Sequence, residues 1–150
     1  MTDRDFMQQA LALAAEAMAQ GEVPVGAVIV KNGEVIATGR NRREKGKNAL
    51  YHAELEAIDA ACKKLGGWRL PGCTLYVTLE PCPMCAGAIL NARIPRLVFG
   101  ASDPKAGSVG SITDLFMFPY NWSPEVRAGC MEDECAALLT DFFKKLRHPS

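Results

Sequence analysis

Residues 73–91 constrain this chain more than any other stretch. The apolar, β-branched run Cys73-Thr74-Leu75-Tyr76-Val77-Thr78-Leu79 passes without a turn signal into Glu80-Pro81-Cys82-Pro83-Met84-Cys85-Ala86-Gly87-Ala88. Proline fixes φ and has no N–H to donate, so it suits the first position of a helix, where N–H groups lack a partner anyway. Pro81 and Pro83 therefore mark a strand entering a helix. On that helix Cys82 and Cys85 differ by about 300° of rotation and about 4.5 Å of rise, which puts both sulfurs on one face. Two thiolates so placed reach one ion at roughly 2.3 Å each, and the helix start lowers their pKa.

A Cys-x-x-Cys pair alone fits a redox couple or a structural metal site as well as anything else. His52-Ala53-Glu54 narrows the choice. With His52, Cys82 and Cys85 as ligands, zinc would keep one tetrahedral position for a water whose pKa falls near 7. Glu54, two residues past the histidine, is placed to take that water's proton and hand it to a leaving amine. H-x-E followed by P-C-x-x-C is the signature of zinc-dependent nucleobase deaminases.

The 150 residues suffice for one domain, 1–150, that buries about two-thirds of its unfolded surface. A net charge of zero, with 49% hydrophobic and 23% charged residues, argues against disorder and against a protein held on nucleic acid by bulk charge. Acidic residues near the start, Asp3 and Asp5, do not suit a signal peptide, and no segment approaches the roughly 20 apolar residues that span a bilayer. A cytoplasmic protein without a membrane partner is expected, with its thiols reduced. Of the six cysteines two belong to the metal; Cys62, Cys73, Cys130 and Cys135 read as small buried apolar residues.

In chain order, Asp5 to Gln20 has the apolar period of a helix ended by Gly21. Glu22 to Val30 and Val35 to Gly39 read as a hairpin about Asn32-Gly33, and Gly26 inside the first strand suggests a close backbone approach, such as that of a ligand. Arg40 to Asn48 is a basic loop, either solvated or facing phosphate. Leu55 to Leu65 is a helix with Leu55, Ile58, Ala61, Cys62 and Leu65 on its apolar side, and His52 falls at its first turn. After the cysteine helix come a strand, Arg96 to Gly100, and a Gly- and Ser-containing segment, Ala101 to Ser111, which is either a substrate-lining loop or a plain connection. One or two helical turns at Ile112 to Phe118, a fifth strand at Glu125 to Cys130 and a helix at Glu132 to Leu146 complete the order. Leu138, Leu139, Phe142, Phe143 and Leu146 form the last helix's apolar face. The order predicts an α/β fold, a three-layer α/β/α sandwich on a mixed sheet of about five strands, with ligands bound at the carboxyl ends of the strands.

These residues resemble the cytidine-deaminase-like superfamily and, within it, the bacterial tRNA-specific adenosine deaminases. The blocks that carry the resemblance run nearly the whole chain: Glu22 to Val28, Asn41-Arg42, His52-Ala53-Glu54, Leu75 to Cys82, Met84 to Ala88, Phe99-Gly100-Ala101, and Glu134 to Leu139 with Phe142-Phe143. The resemblance implies hydrolytic deamination of the wobble adenosine in a tRNA anticodon stem-loop to inosine, by a homodimer. It implies zinc on His52, Cys82 and Cys85, proton transfer by Glu54, a nucleoside contact at Asn41, and a base pocket lined by Val25 and the backbone of Ala53. The aromatic stretch Leu115 to Trp122 suits a dimer interface or base stacking.

Two other readings remain open to the sequence. One is a deaminase of a free nucleobase or nucleoside, such as guanine, cytosine or adenosine, on the same scaffold, which the neutral net charge favours. The other is a non-enzymatic zinc-binding protein, against which Glu54 argues, because a structural site has no use for a proton shuttle.

Overall fold

The computed structural model describes residues 1–148. Eleven elements follow one another: α1 (Asp3–Ala19), β1 (Gly26–Lys31), β2 (Glu34–Arg40), α2 (Arg43–Gly46), α3 (Ala53–Leu65), β3 (Cys73–Leu79), α4 (Pro83–Asn91), β4 (Arg96–Ala101), a 3-10 turn (Leu115–Met117), β5 (Glu125–Arg127) and α5 (Glu132–Arg147). The five strands form one mixed sheet in the order β2-β1-β3-β4-β5, with β1 antiparallel to β2 and β3, and β3, β4 and β5 parallel. Helices cover both faces. Ala27, Ile29, Leu75, Val77, Leu97 and Phe99 point to the α3 and α4 side, while Val28, Val30, Tyr76 and Val98 point to the α1 and α5 side. Burial on both faces explains why the central strands read as unbroken apolar runs. No helix among the described residues is long and apolar enough to cross a membrane.

Local chemistry shifts several boundaries. Thr2 caps α1: its side chain accepts from the Asp5 N–H, and the Asp5 carboxylate accepts from the Thr2 N–H at 2.8 Å, so the helix starts at Asp3 rather than Asp5. The close approach at Gly26 is made by α1, not by a ligand, since a Cβ there would lie 2.0 Å from the Ala10 carbonyl oxygen. Arg40 to Asn48 holds a helical turn, α2, whose Glu44 and Lys45 N–H groups donate to the Glu22 carboxylate at 2.9 and 2.8 Å. The buried side of α3 is Ala53, Glu54, Ala57, Ile58 and Ala61, so Leu55 and Cys62 are only half-buried and Leu65 is exposed. The fifth strand stops at Arg127 because Gly129 turns into the left-handed region.

In α5 only Cys135 is fully buried, and Phe143 and Leu146, expected in its apolar face, are 40% and 65% exposed. The stretch 115–122 divides: Phe116 is buried and the Trp122 indole donates to the Ile94 carbonyl at 2.9 Å, while Met117, Phe118 and Tyr120 face solvent.

Asp3 latches α1 to all three parallel strands. Its carboxylate accepts from Arg96 through two bonds of 2.8 Å, from the Tyr76 hydroxyl at 2.7 Å and from Arg127 at 2.7 Å. The Arg96 guanidinium, more than any other group, holds its pKa well below the usual carboxylate range. A carboxyl depressed in the folded state contributes stability that is present above its unfolded pKa of about 3.9 and is lost as the pH falls toward the folded value. Asp3→Asn is expected to cost about 1.5–3 kcal/mol at pH 7. Urea unfolding should show the gap between variant and parent narrowing as the pH drops below about 4.

Candidate metal centre and adjoining cavity

Two helices begin at the site. His52 is the N-cap of α3 and Cys82 the N-cap of α4; neither side chain caps its own helix, so both are turned to the space between. Pro83 is the first residue of α4, as the sequence requires, and Cys85 follows on the same face. The Nδ1 of His52 lies 3.7 Å from the Cys82 sulfur and 3.6 Å from the Cys85 sulfur. All three donor atoms are within 4.8 Å of one another, and among the described residues no Asp or Glu joins the group. Ligands sharing a tetrahedral zinc, with Zn–S of about 2.3 Å and Zn–N of about 2.0 Å, sit about 3.6 Å apart, so the donor set and its spacing fit that ion.

The protons on this group reflect its crowding. The Cys82 thiol is lowered to about 4, chiefly by the bond from Cys85 and then by His52, which outweigh burial. Cys85 is pushed far up by its bond to Cys82 and by burial, and His52 is raised by its bond to Cys82. The shifts favour negative charge on the Cys82 sulfur and retention of protons at Cys85 and His52. A cation seated there must displace them.

Glu54 stands behind the donors, 4% exposed, with its carboxyl against the Cys85 thiol. Burial, the largest influence, pushes it up to about 7, partly offset by its own backbone N–H. A bound cation acts in the opposite direction. Its carboxyl is in the cavity but outside the donor group.

That cavity, of ≈ 180 Å³, is lined by Val23, Val25, Asn41, Arg43, His52, Glu54, Leu79, Glu80, Cys82, Asp103 and Ala106, at the carboxyl ends of β3 and β4. It is smaller than the roughly 300–1,000 Å³ of sites for drug-sized ligands, a space for one ring system. Val25 and Asn41 are in its wall. The backbone of Ala53 adjoins Asn41: its N–H donates to Asn41 Oδ1 at 3.0 Å, which fixes the amide of Asn41, and its side chain is wholly buried. A wider groove of ≈ 510 Å³ shares Val23, Leu79 and Asp103 with the cavity and runs along α5 past Lys105, Phe143 and Arg147.

The sequence gives Glu22 and Glu80 no individual role, and places Arg43 and Asp103 only within loops open to a phosphate-facing or substrate-lining reading. Glu22 and Glu80 carried a signal, each being a lone acid beside apolar β-forming runs, and both are only 2% exposed. For Arg43 and Asp103 the signal stops at the loop, because their place in the wall depends on how the two segments fold.

Acid should weaken metal binding, because His52 and Cys85 must give up protons that acid returns. Zinc affinity measured by competition with a chelator is expected to fall about tenfold to a hundredfold for each unit from pH 8 to pH 6, for one to two protons displaced. A flat profile would contradict this donor set.

The family profile of the MafB19-like deaminases matches residues 1–147. The tRNA-specific adenosine deaminase of Bacillus subtilis strain 168 is 50% identical over 146 residues, 97% of this chain and 91% of that protein. A solved structure from a study of A-to-I editing by tRNA:A34 deaminases at the wobble position of transfer RNA superposes with a TM-score of 0.88 at 48% identity, covering 90% of this chain and 99% of that one. A guanine deaminase from Bacillus subtilis is more distant, at TM-score 0.68 and 35% identity over 100% of this chain and 96% of that one. Matched along almost its full length on both sides, the chain belongs to the tRNA-specific adenosine deaminase family, within the MafB19-like deaminases.

Proposed function

We propose that this protein, acting as one domain, deaminates adenosine at the wobble position of a tRNA anticodon to inosine, with zinc held by His52, Cys82 and Cys85. The observation that carries the chemistry is the place of Glu54: a buried carboxyl beside the donor group, in a cavity sized for one base. Zinc with three protein ligands supplies Lewis acidity, bringing water to ionisation near neutral pH.

The chain's own residues do the rest. Val25 gives the base an apolar wall. Asn41, whose Oδ1 is occupied by the Ala53 N–H, keeps its side-chain NH2 to donate to the nucleoside. Water adds at C6 of adenine while Glu54 takes one of its protons and passes it to N1; Glu54 then takes the proton of the hydroxyl added at C6 and gives it to the departing amine, so that adenosine and water become inosine and ammonia. The carboxyl ends as it began.

A base must leave its stack to enter so small a cavity, and anticodon bases are already unpaired. The groove along α5 favours a polymer over a free base: it continues from the cavity and presents two cations, Lys105 and Arg147, beside the exposed ring of Phe143. Closer identity to the tRNA deaminases than to the guanine deaminase points the same way. The exposed Met117, Phe118 and Tyr120 give the chain an apolar face suited to a second copy, and we infer a cytoplasmic homodimer.

The test offers purified protein an anticodon stem-loop with adenosine at the wobble position and, separately, free adenosine, guanine and cytosine, following ammonia and inosine. Inosine in the RNA is expected, from a species sedimenting near twice 16.2 kDa. Glu54→Ala should keep its zinc and lose about 10²- to 10⁴-fold in rate. Turnover of guanine with the RNA untouched would overturn the reading.

A further inference from the structure

Two loops wall the cavity, and each is gathered around a carboxylate of 2% exposure, Glu22 for the segment carrying Arg43 and Glu80 for the segment carrying Asp103 and Ala106. The second arrangement is the more complete. Glu80 Oε1 accepts from the Asp103 N–H at 3.0 Å and from the Ser111 hydroxyl; Oε2 accepts from the Val109 N–H at 3.0 Å and the Ser111 N–H at 3.1 Å. Segment 103–111 thus wraps one carboxylate with three backbone donors and a hydroxyl. Gly107 marks how closely: a Cβ there would lie 2.4 Å from the Glu80 carboxylate. Backbone bonds join the same turn to the metal-site helix, with the Ser108 N–H on the Pro81 carbonyl at 2.9 Å and the Glu80 N–H on the Ala101 carbonyl at 2.8 Å.

Gly107, Ser108 and Val109 are buried, and the Ile112 and Leu115 N–H groups donate to the Gly107 and Ser108 carbonyls at 2.9 Å, so it is the outer half of the segment that depends on the clamp. Ser102, Pro104 and Lys105 are exposed, and Asp103 spends one carboxylate oxygen on the N–H groups of Lys105 and Ala106 in its own turn. Loops with few apolar contacts open at low free-energy cost unless specific bonds close them. Bonds from several N–H groups to a buried carboxylate are among the stronger ones.

We propose that Glu80 is a positioning residue for the deamination: its carboxylate clamps segment 103–111 so that Asp103 and Ala106 form the cavity wall facing Asn41, ready for the target nucleotide. The inference rests on reading the cavity as the nucleoside site. It requires that Glu80 act on substrate engagement through the loop, and not on the metal or on global stability.

Three variants test it: Glu80→Gln, which replaces one acceptor oxygen by a donor; Ser111→Ala, a milder loss that leaves the core untouched; and Gly107→Ala, which crowds the clamp from the other side. In Glu80→Gln, amide hydrogen exchange should quicken about tenfold or more at Asp103, Val109 and Ser111, while amides of β1 and β3 keep the parent's protection. Zinc content should match the parent's, and KM for the stem-loop should rise about ten- to a hundredfold with kcat within about threefold. Ser111→Ala and Gly107→Ala should move the same amides and the same constant in the same direction, and they carry the test if Glu80→Gln does not fold. Unchanged exchange at those three amides, a fall in kcat with KM unmoved, or loss of zinc would overturn the proposal. If the parent itself leaves the stem-loop untouched, the nucleoside reading fails, and the exchange measurement alone then decides the clamp.

Discussion

The structure depends on bringing two helix starts to one edge of one sheet. A helix N-terminus carries unpaired N–H groups and about half a positive charge. Two of them facing each other repel unless something negative lies between. In this chain His52 and Cys82 occupy the two N-cap positions without capping their helices, and Cys85 stands one turn into the second. A thiolate at Cys82 answers the positive ends directly. Most N-cap residues spend their side chain on the helix; these two are free for a ligand because each helix leaves its strand or loop at an angle set by the sheet.

Carboxylates organise the rest of the cavity. Glu54, Glu22 and Glu80 are all nearly inaccessible to solvent, in a chain with no net charge. An isolated buried carboxylate is costly, and each of the three resolves that cost differently. Glu22 and Glu80 are satisfied by backbone N–H groups, and at Glu80 those bonds and the Ser111 hydroxyl outweigh the upward push of burial, leaving its pKa below the usual value. Glu54 has fewer partners and is pushed upward instead. Glu22 and Glu80 gather wall segments through backbone N–H groups, whereas the Glu54 carboxyl faces the donor group and its burial dominates.

Much of this was legible in the sequence, for physical reasons that can be named. The strand-proline-cysteine passage, the order of elements and the donor spacing follow from local rules, and all three donors meet as their spacing requires. What was not legible depends on tertiary choices. The approach at Gly26 is made by helix residues twelve to sixteen positions earlier in the chain, which no local pattern distinguishes from a ligand. The buried side of α3 is its alanines because close packing on the sheet favours small side chains over Leu55 and Leu65. Phe143 looks like core by period, yet α5 extends past the sheet it would cover, so the ring lines a groove. The bond from the Ala53 N–H to Asn41 joins two segments that no local pattern pairs.

The central claim is a metal held by one imidazole and two sulfurs, with its remaining position left to the solvent. X-ray absorption at the zinc edge of the purified protein tests that most directly. Two sulfur scatterers at about 2.3 Å and two nitrogen or oxygen scatterers at about 2.0 Å are predicted. Zinc absent after loading, or a shell of three or four sulfurs, would contradict it.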